Sequence, residues 1–397
     1  MTTLIINSGS SSIKYQLFRM PSEKPVCIGL VERIGQPNAV IKHKIFIDDK
    51  EDAREEVMPL HNHAEGLEQI VSLLTNEQNG VIKNVTDVEV VGHRVVHGGE
   101  KYHAATIINS EVKEDIKSLS ELAPLHNPAN LTGIETAETI FTEAKQIAVF
   151  DTAFHQTIPD YAFRYAIPTP FYEQDKIRVY GFHGTSHQYV TEQARLYLKN
   201  EAAKLISIHL GNGCSMAAVN AGTCIDTSMG FSPLAGLIMG TRSGDIDPSV
   251  LFYLFDKGYT SNDVNNLLNK QSGMLGMTGF NDMRDVNRAA ENNHKEAELA
   301  LEMYAYRIKK YIGAYAAAMN GLDAIIFTAG VGENDADIRK RVCENMEFLH
   351  IAIQNEKNEE RSNKMREINK ENTTAKVLVV PTNEELQIAR QCLRLLQ

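Results

Sequence analysis

A short apolar segment that runs into a turn of small residues occurs near the N-terminus and recurs further along the chain. Residues 4–6 are apolar and lead to the small residues 9–12. After this turn, Ile13, Tyr15 and Leu17 alternate with polar residues, a periodicity typical of a β-strand. The segment therefore predicts a strand, a tight turn and a second strand.

Two later segments repeat this arrangement. Residues 205–213 form an apolar strand followed by a glycine turn, and residues 214–219 form another short strand. Residues 324–334 form a third strand that ends in glycines and leads towards a helix. None has the spacing of a Walker loop or of a dinucleotide-binding turn. Each turn taken alone is also compatible with an ordinary serine and glycine turn, but together they predict a nucleotide held between two α/β halves.

The order of predicted elements gives the domain organisation. A chain of 397 residues predicts two or three domains, and strands precede helices twice along it. We predict an N-terminal α/β domain over residues 1–150, joined by a C-terminal helix over 385–397. A C-terminal nucleotide-binding α/β domain is predicted over 151–384. Further predictions are a strand at 88–91, a helix at 295–319 and a solvated polar segment at 355–372.

Charge and composition exclude several classes of protein. The chain has 40 Lys and Arg against 51 Asp and Glu, a formal net charge of −11, which argues against binding to nucleic acid or to a membrane surface. No apolar run approaches the ~20 residues of a membrane helix, and no secretory signal is visible. The five cysteines form no Cys-x-x-Cys pair, so reduced thiols in the cytoplasm are expected.

Two arginines lie in glycine-rich surroundings that leave their side chains accessible. Arg94 is close to Gly92 and Gly98, and Arg242 lies between Gly240 and Gly244. A planar guanidinium in such a setting can bind a phosphate or a carboxylate in a bidentate manner. A surface salt bridge is the alternative for each arginine.

Histidines and carboxylates near predicted turns are further candidates. No His-x-x-x-His pair on a clear helix is seen, so the histidines are expected to donate hydrogen bonds to a charged group rather than to bind metal. These histidines are His93, His97, His126, His183, His187 and His209. Asp151 and Glu384 each follow a predicted strand and are candidate Mg²⁺ ligands. Helix capping is the alternative for both carboxylates.

Several of these segments resemble the motifs of one family. Residues 7–14 and 209–215 are similar to the two signatures of the acetate kinase family. Matching motifs occur at residues 92–99, 122–128, 150–155, 181–187, 239–245 and 381–385. The resemblance covers essentially the whole chain. It implies the duplicated βββαβαβα two-domain fold of the acetate and sugar kinase/Hsc70/actin superfamily, with an active-site cleft between the domains.

The resemblance also implies roles for individual residues. Asn7 and Glu384 would bind Mg²⁺ or Mn²⁺ with the help of Asp151. The catalytic residues would be Asp151, Arg94, Arg242 and His183. The acyl substrate would contact Arg94, Val96, Leu125, His126, Phe182 and Pro233, and valine at position 96 goes with acetate rather than propionate. ATP would be held by Lys14, His209, Leu210, Gly211, Asn212, Gly213, Asp282, Met283, Arg284, Gly330, Val331, Gly332, Glu333 and Asn334.

The expected activity is therefore ATP + acetate ⇌ acetyl phosphate + ADP, in a cytoplasmic homodimer. The acceptor carboxylate has a pKa of ~4–5 and is already ionised at pH 7, so it needs no general base. A propionate or other short-chain acyl kinase, a sugar or glycerol kinase, and a nucleotide-dependent assembly protein of the actin and chaperone type are the alternatives. Direct transfer and a phosphoenzyme are both compatible with these residues.

Overall fold

The computed structural model describes residues 1–47, 50–124 and 126–397. The chain forms two compact units. Unit 1 comprises residues 1–154 and 383–397, and unit 2 comprises residues 155–382. Each unit has helices packed on a mixed β-sheet.

Unit 1 is built on an eight-stranded sheet. Its strands are β1 (Thr2–Ser8), β2 (Ser12–Arg19), β3 (Pro25–Glu32), β4 (Gln36–Ile47), β5 (Lys50–Leu60), β6 (Val90–Val95), β7 (Thr106–Ile107) and β8 (Lys145–Phe150). They lie in the order β5-β4-β3-β2-β1-β6-β8-β7. Strands β1, β6 and β8 are parallel, and the other pairs are antiparallel. The helices are α1 (His63–Leu74), α2 (Ser110–Ser118) and α3 (Asn127–Ile140).

Alternation in β2 explains why this sheet has a helix on its face. Ile13, Tyr15 and Leu17 are buried while the residues between them are more exposed. They join one apolar cluster with Leu67 and Ile70 of α1. Every second side chain of the strand thus packs against side chains spaced three to four residues apart on the helix. This is the usual way in which a helix covers the face of a sheet.

Unit 2 has a six-stranded sheet and most of the helices. Its strands are β9 (Lys204–Leu210), β10 (Cys214–Asn220), β11 (Thr223–Thr227), β12 (Ala324–Thr328), β13 (Arg366–Glu367) and β14 (Lys376–Val379). Its helices are α4 (Asp160–Phe163), α5 (Pro170–Glu173), α6 (Gly184–Leu198), α7 (Ser249–Asp256), α8 (Ser261–Lys270), α9 (Gly273–Thr278), α10 (Met283–Glu291), α11 (Lys295–Met319), α12 (Ala329–Asn334), α13 (Ala336–Cys343) and α14 (Asn355–Glu359).

The two sheets have the same strand order. Unit 2 is ordered β11-β10-β9-β12-β14-β13, with β9, β12 and β14 parallel and the remaining pairs antiparallel. Six strands of unit 1, in the order β3-β2-β1-β6-β8-β7, repeat this pattern, and β4 and β5 extend the sheet beyond it. The predicted duplicated α/β fold is therefore confirmed at the level of topology.

The last helix, α15 (Glu384–Leu396), packs against β1, β6 and β8 of unit 1. Gly92 of β6 lies beneath it. A side chain at this position would lie 2.9 Å from Cys392 Sγ and 3.0 Å from Ile388 Cγ2. Gly92 therefore allows the close approach of α15 to the sheet, and this approach fixes the position of Glu384 at the helix start.

One local prediction was wrong in its bounds. The strand predicted at 88–91 is β6, which covers Val90–Val95, so Arg94 lies within it. The polar side chains of this strand have partners: His93 Nε2 lies 2.7 Å from Gln146 Oε1 on β8. The glycine-containing segment 330–334 belongs to α12, which begins at Ala329, directly after β12.

Within the part of the chain that the structure describes, no helix combines the length and the apolar character needed to cross a bilayer.

Candidate functional site

The carboxyl ends of the parallel strands in unit 1 bring three polar side chains together. Asn7 is near the end of β1, Arg94 is near the end of β6, and Asp151 directly follows β8. These strands are neighbours in the sheet. Because parallel strands end at the same edge, their terminal side chains meet there, as is common for ligand sites in α/β proteins.

Arg94 is the centre of this group. Its Nη2 donates to Asp151 Oδ2 at 2.5 Å, and its Nη1 donates to Asn7 Oδ1 at 3.3 Å. Its Nε lies 3.6 Å from Glu384 Oε2. Burial opposes the charged form of Arg94, but Asp151 and Glu384 outweigh it and raise the pKa of the guanidinium above its usual range.

Glu384 is a half-buried carboxylate whose charge is only partly compensated. Burial raises its pKa, Arg94 lowers it, and the neighbouring Asp151 raises it again, with a net value of about 7. An additional cation near this carboxylate would therefore be favourable. Asn7, Asp151 and Glu384 offer one amide and two carboxylates, the hard oxygen donors that Mg²⁺ prefers.

The other unit 1 residues named from the sequence have varied positions. Lys14 is exposed on β2 and interacts electrostatically with Glu384. The Val96 side chain is buried, and its backbone N–H donates to Asn130 Oδ1. His126 is half-buried at the start of α3. Leu125 lies outside the described residues.

Two of the candidate histidines belong to the interior of unit 1. His93 and His97 are buried. Burial lowers the pKa of each imidazole to about 4. They are therefore neutral at pH 7, and His93 is partnered by the uncharged Gln146. The expectation of a charged partner is therefore wrong for His93. For His97 it stays a prediction.

In unit 2, a hairpin turn and two histidine rings form a compact group. The turn between β9 and β10 is closed by a hydrogen bond from Gly211 N to Gly213 O at 3.1 Å. The rings of His183 and His209 stack with centroids 4.3 Å apart. His183 has a left-handed backbone with φ of 55°, a conformation that is uncommon for a non-glycine residue.

Arg242 lies beside the same turn. A methyl group placed on Gly213 would be 3.4 Å from His183 Cε1 and 3.9 Å from Arg242 Nη1. The Arg242 Nη1 donates to Pro233 O at 3.2 Å. Among the described residues, no carboxylate lies within ion-pair distance of Arg242. Its positive charge is therefore not neutralised by a carboxylate, and burial lowers its pKa.

A cavity of about 910 Å³ opens in unit 2 next to this group. Pockets for small ligands commonly measure ~300–1,000 Å³, so a nucleotide fits. Residues named from the sequence that line it are Gly211, Asn212, Asp282, Met283, Arg284, Gly330, Val331, Glu333 and Asn334. They come from the turn after β9, the start of α10 and α12, which directly follows β12. The cavity thus lies at the carboxyl ends of parallel strands.

Hydrogen bonds hold several of these side chains in place. Asp282 caps α10 and binds the Arg284 guanidinium, whose hydrogen bonds lower the pKa of Asp282 to about 2. Glu333 Oε1 accepts from the backbone N–H groups of Ala329 and Thr382. Burial raises the pKa of Glu333.

Five other sequence-named residues of unit 2 are not among those lining the cavity. Leu210, Gly332 and Phe182 are buried. Gly213 belongs to the hairpin turn, and the carbonyl of Pro233 accepts from Arg242. The structure thus divides the named residues between the Gly211–Gly213 turn, the cavity and the surrounding core.

Sequence reasoning missed part of the cavity wall. Residues 359–362 and Arg366 line it, although the polar segment 355–372 was predicted to be a solvated element. Arg339, another lining residue, is buried and bonds the buried Asn358 through its Nε at 2.7 Å. The buried asparagine in an otherwise polar segment cannot be distinguished from its exposed neighbours by sequence pattern.

Two of the candidate histidines lie at the start of α6. His183 and His187 are four residues apart, His183 is the residue preceding α6, and His187 lies in the helix. Within the described residues there is no group of three or more His, Cys, Asp or Glu side chains arranged to hold a metal ion. Both rings bond a serine hydroxyl instead, through Ser215 Oγ.

The two α/β units have like topology, and one contains a nucleotide-sized cavity and an arginine with no carboxylate partner among the described residues. These features are typical of phosphotransferases of the two-domain kinase class. A model of the Acetokinase family matches residues 2–390. The chain belongs to the acetokinase family.

Relatives and solved structures agree with this assignment. The chain is 55% identical to the acetate kinase of Flavobacterium johnsoniae over all of both chains. It is 52% identical to the acetate kinase of Thermotoga maritima, covering 98% of this chain and 97% of that one. The Porphyromonas gingivalis acetate kinase structure has a TM-score of 0.92 at 42% identity, covering 100% of both chains. A propionate kinase from Francisella tularensis has a TM-score of 0.90 at 41% identity, covering 98% of both.

Proposed function

We propose that this protein catalyses the reversible, Mg²⁺-dependent transfer of a phosphoryl group from ATP to acetate, giving acetyl phosphate and ADP. The observation that carries the proposal is the full-length similarity to relatives named acetate kinase, at 55% identity over the whole chain for one of them. Acetate is the acceptor in that name, and the residues of the site suit such an acceptor.

The chemistry requires two anions to react with each other. Acetate is ionised at pH 7, so the enzyme must cancel charge and align the reactants rather than remove a proton. In the proposal, Arg242 and His183 in unit 2 stabilise the transferring phosphoryl group. The guanidinium of Arg94 is assigned to the acyl carboxylate, and Val96, Leu125, His126, Phe182 and Pro233 are assigned to the acyl group.

The nucleotide is assigned to the unit 2 cavity. Gly211 and Asn212 of the hairpin turn, Asp282 and Arg284 of α10, and the residues of α12 line it, and its volume matches that of a small-ligand site. His209 and Gly213 adjoin the turn, and Lys14 of unit 1 is assigned to the phosphates. Binding of ATP by wild-type protein is measurable by calorimetry.

Asn7 and Glu384 are the proposed Mg²⁺ or Mn²⁺ ligands, with Asp151 beside them. Their oxygen atoms, and the incompletely compensated charge of Glu384, suit a hard divalent cation. When bound, the metal would supply charge neutralisation for the phosphates. Arg94 orients the carboxylate of Asp151 through the 2.5 Å hydrogen bond.

A hydroxamate assay with ATP, Mg²⁺ and a series of short acids tests the activity. We expect acyl phosphate with acetate, with propionate second and butyrate last. A preference for propionate would favour the alternative acyl kinase, for which the propionate kinase among the similar structures gives a specific reason. No acyl phosphate with any short acid would favour a nucleotide-dependent assembly protein.

A homodimer is proposed on the basis of α7. None of the residues of this helix, all of them described, is buried, although its sequence is mostly apolar. Phe252 and Tyr253 are 66% and 60% exposed. A helix with so much exposed apolar surface is typical of a protein interface, and a second copy of this chain is the partner we propose. A cytoplasmic location is proposed as well, because all five cysteines are free thiols.

A further inference from the structure

Two buried serines hold the stacked histidine pair of unit 2. His183 Nδ1 lies 2.9 Å from Ser215 Oγ, and His209 Nδ1 lies 2.8 Å from Ser186 Oγ. Both serines have 0% exposure. The two rings are nearly parallel, with 17° between their planes. Each ring is therefore tethered through the same nitrogen to a hydroxyl that is shielded from water.

The opposite nitrogens of the two rings lie next to the glycine turn. A methyl group placed on Gly213 would be 3.6 Å from His183 Nε2, and one placed on Gly211 would be 3.8 Å from His209 Nε2. The tether at Nδ1 thus directs both Nε2 atoms to the turn that adjoins the nucleotide cavity.

A third histidine contacts the same Ser215 hydroxyl as His183. His187 Nε2 lies 2.7 Å from Ser215 Oγ, and its Nδ1 lies 2.8 Å from Ser207 Oγ. Burial lowers the pKa of His187 well below its usual value, so the ring is neutral and carries one N–H. A hydroxyl also has one hydrogen to donate. If His187 donates to Ser215, then the Ser215 hydroxyl hydrogen is left for His183.

We propose, building on the kinase activity proposed above, that Ser215 and Ser186 are positioning residues that donate to Nδ1 of His183 and His209. Both rings are thereby fixed as the neutral tautomer with hydrogen on Nε2. Two N–H donors then face the Gly211–Gly213 turn, where they can bind oxygens of the transferring phosphoryl group.

If the Nδ1–H groups of the two rings donated to the serine hydroxyls instead, the site would be chemically unsuitable for an anion. Such donation would leave lone pairs on both Nε2 atoms, which repel phosphate oxygens. Protonating both rings is also unfavourable, because two positive charges 4.3 Å apart repel each other. The neutral pair supplies donors without this repulsion, and the charge needed for the phosphoryl group comes from Arg242.

Nitrogen NMR of wild-type protein labelled with ¹⁵N-histidine tests the tautomers directly. His183→Gln and His209→Gln variants assign the signals. We expect a bare Nδ1 and a protonated Nε2 for both rings near pH 7.5. Protonated Nδ1 with bare Nε2, or two imidazolium rings, would overturn the proposal. This result does not depend on activity, whereas absence of acyl phosphate from wild-type protein would refute only the proposed function.

Serine variants test the consequence for turnover. For Ser215→Ala we expect kcat to fall about 10- to 100-fold, because a reacting group that is slightly misplaced has an effect of this size. The KM for ATP should change little, and Ser215→Thr, which keeps the hydroxyl, should recover most of the kcat. Ser118→Ala, at the exposed end of α2, is the matched control. Unchanged kcat and tautomer in Ser215→Ala would contradict the positioning role, and if that variant does not fold, the NMR of wild-type protein still decides.

Discussion

At the scale of single residues, the two candidate arginines differ in how their charge is balanced. Arg94 is surrounded by Asp151 and Glu384, whereas Arg242 has no carboxylate within ion-pair distance among the described residues. The first arginine therefore contributes to the stability of unit 1 as well as to its site. The second has a charge that would be available to a bound anion in the function proposed above.

Arg242→Ala and Arg94→Ala should both lower turnover, by at least about 100-fold, since loss of one donor to a transition-state anion has an effect of this order. Only Arg94→Ala should also destabilise the protein, by about 3–5 kcal/mol, because it leaves two shielded carboxylates without their cation. Turnover is measured by the hydroxamate assay and stability by urea unfolding. Near wild-type turnover in either variant would exclude that arginine from the mechanism. Arg33→Ala, at an exposed turn, is the control.

Asp226 of β11 gives a prediction for pH. Burial raises the pKa of its carboxyl group to about 6. Above that pH the folded protein carries a buried charge that the unfolded chain exposes to water, so the charge opposes folding. Below the unfolded pKa of ~4 the group is protonated in both states and the penalty disappears.

Asp226→Asn should therefore stabilise the protein at pH 8, by about 1–3 kcal/mol. The gain should shrink between about pH 6 and 4. The asparagine keeps an oxygen to accept from Thr227 N, as Asp226 Oδ1 does at 2.7 Å. Urea unfolding across this pH range measures the effect. Asp87→Asn is the control, and it should lower the stability at pH 8 rather than raise it. The reason is that the backbone N–H groups of Asn84 and Lys83 lower the pKa of Asp87. A gain that is constant from pH 8 to 4 would contradict the interpretation.

At the scale of elements, helix α15 shows how a distant segment completes the unit 1 site. The helix follows β14 of unit 2 in the chain but packs on the sheet of unit 1. Glu384 is its first residue, and Ile388 is one turn later with 0% exposure. The apolar face of α15 therefore holds a carboxylate next to Arg94.

Ile388→Ala should destabilise the protein by about 2–5 kcal/mol, because it removes buried methyl groups and leaves a cavity above Gly92. Leu395→Ala on the same helix, where the side chain is 40% exposed, should change stability by no more than about 0.5 kcal/mol. Urea unfolding measures both variants. Equal losses would mean that α15 is not anchored by this face.

At the scale of the whole molecule, both units share one strand order, and unit 1 extends its sheet by two further strands. The shared strand order places equivalent hairpins, β1–β2 and β9–β10, at the start of each unit. Only unit 1 has the additional pair β4 and β5. The described part of unit 2 instead carries α7, an apolar helix with no buried residue.

The apolar surface of α7 predicts self-association. Phe252→Asp should shift the protein towards the monomer, because a charge in an apolar interface is costly to desolvate. Phe348→Asp changes a side chain that is 73% exposed elsewhere in unit 2 and should have no effect. Light scattering after size-exclusion chromatography measures the mass. A wild-type monomer, or a dimer that is unaffected by Phe252→Asp, would exclude this helix as the interface.

The amino-acid sequence by itself determined the local elements and the family. The hairpins around Gly9 and Gly211 and the helix α11 follow from periodicity and turn residues, which act over a few positions. The signature motifs, matched by the family model over residues 2–390, gave the family and the fold. The roles of the named site residues remain predictions.

Only the tertiary structure decided which residues that are distant in sequence form ion pairs and hydrogen bonds with each other. Arg94 and Asp151 are 57 positions apart and meet because β6 and β8 are adjacent parallel strands. The contact between Ser215 and His183, and the lining of the cavity by residues 359–362, depend in the same way on contacts between remote segments. Periodicity carries no information about such pairs, because desolvation and hydrogen bonding are set by what packs nearby in space and not by neighbours in sequence.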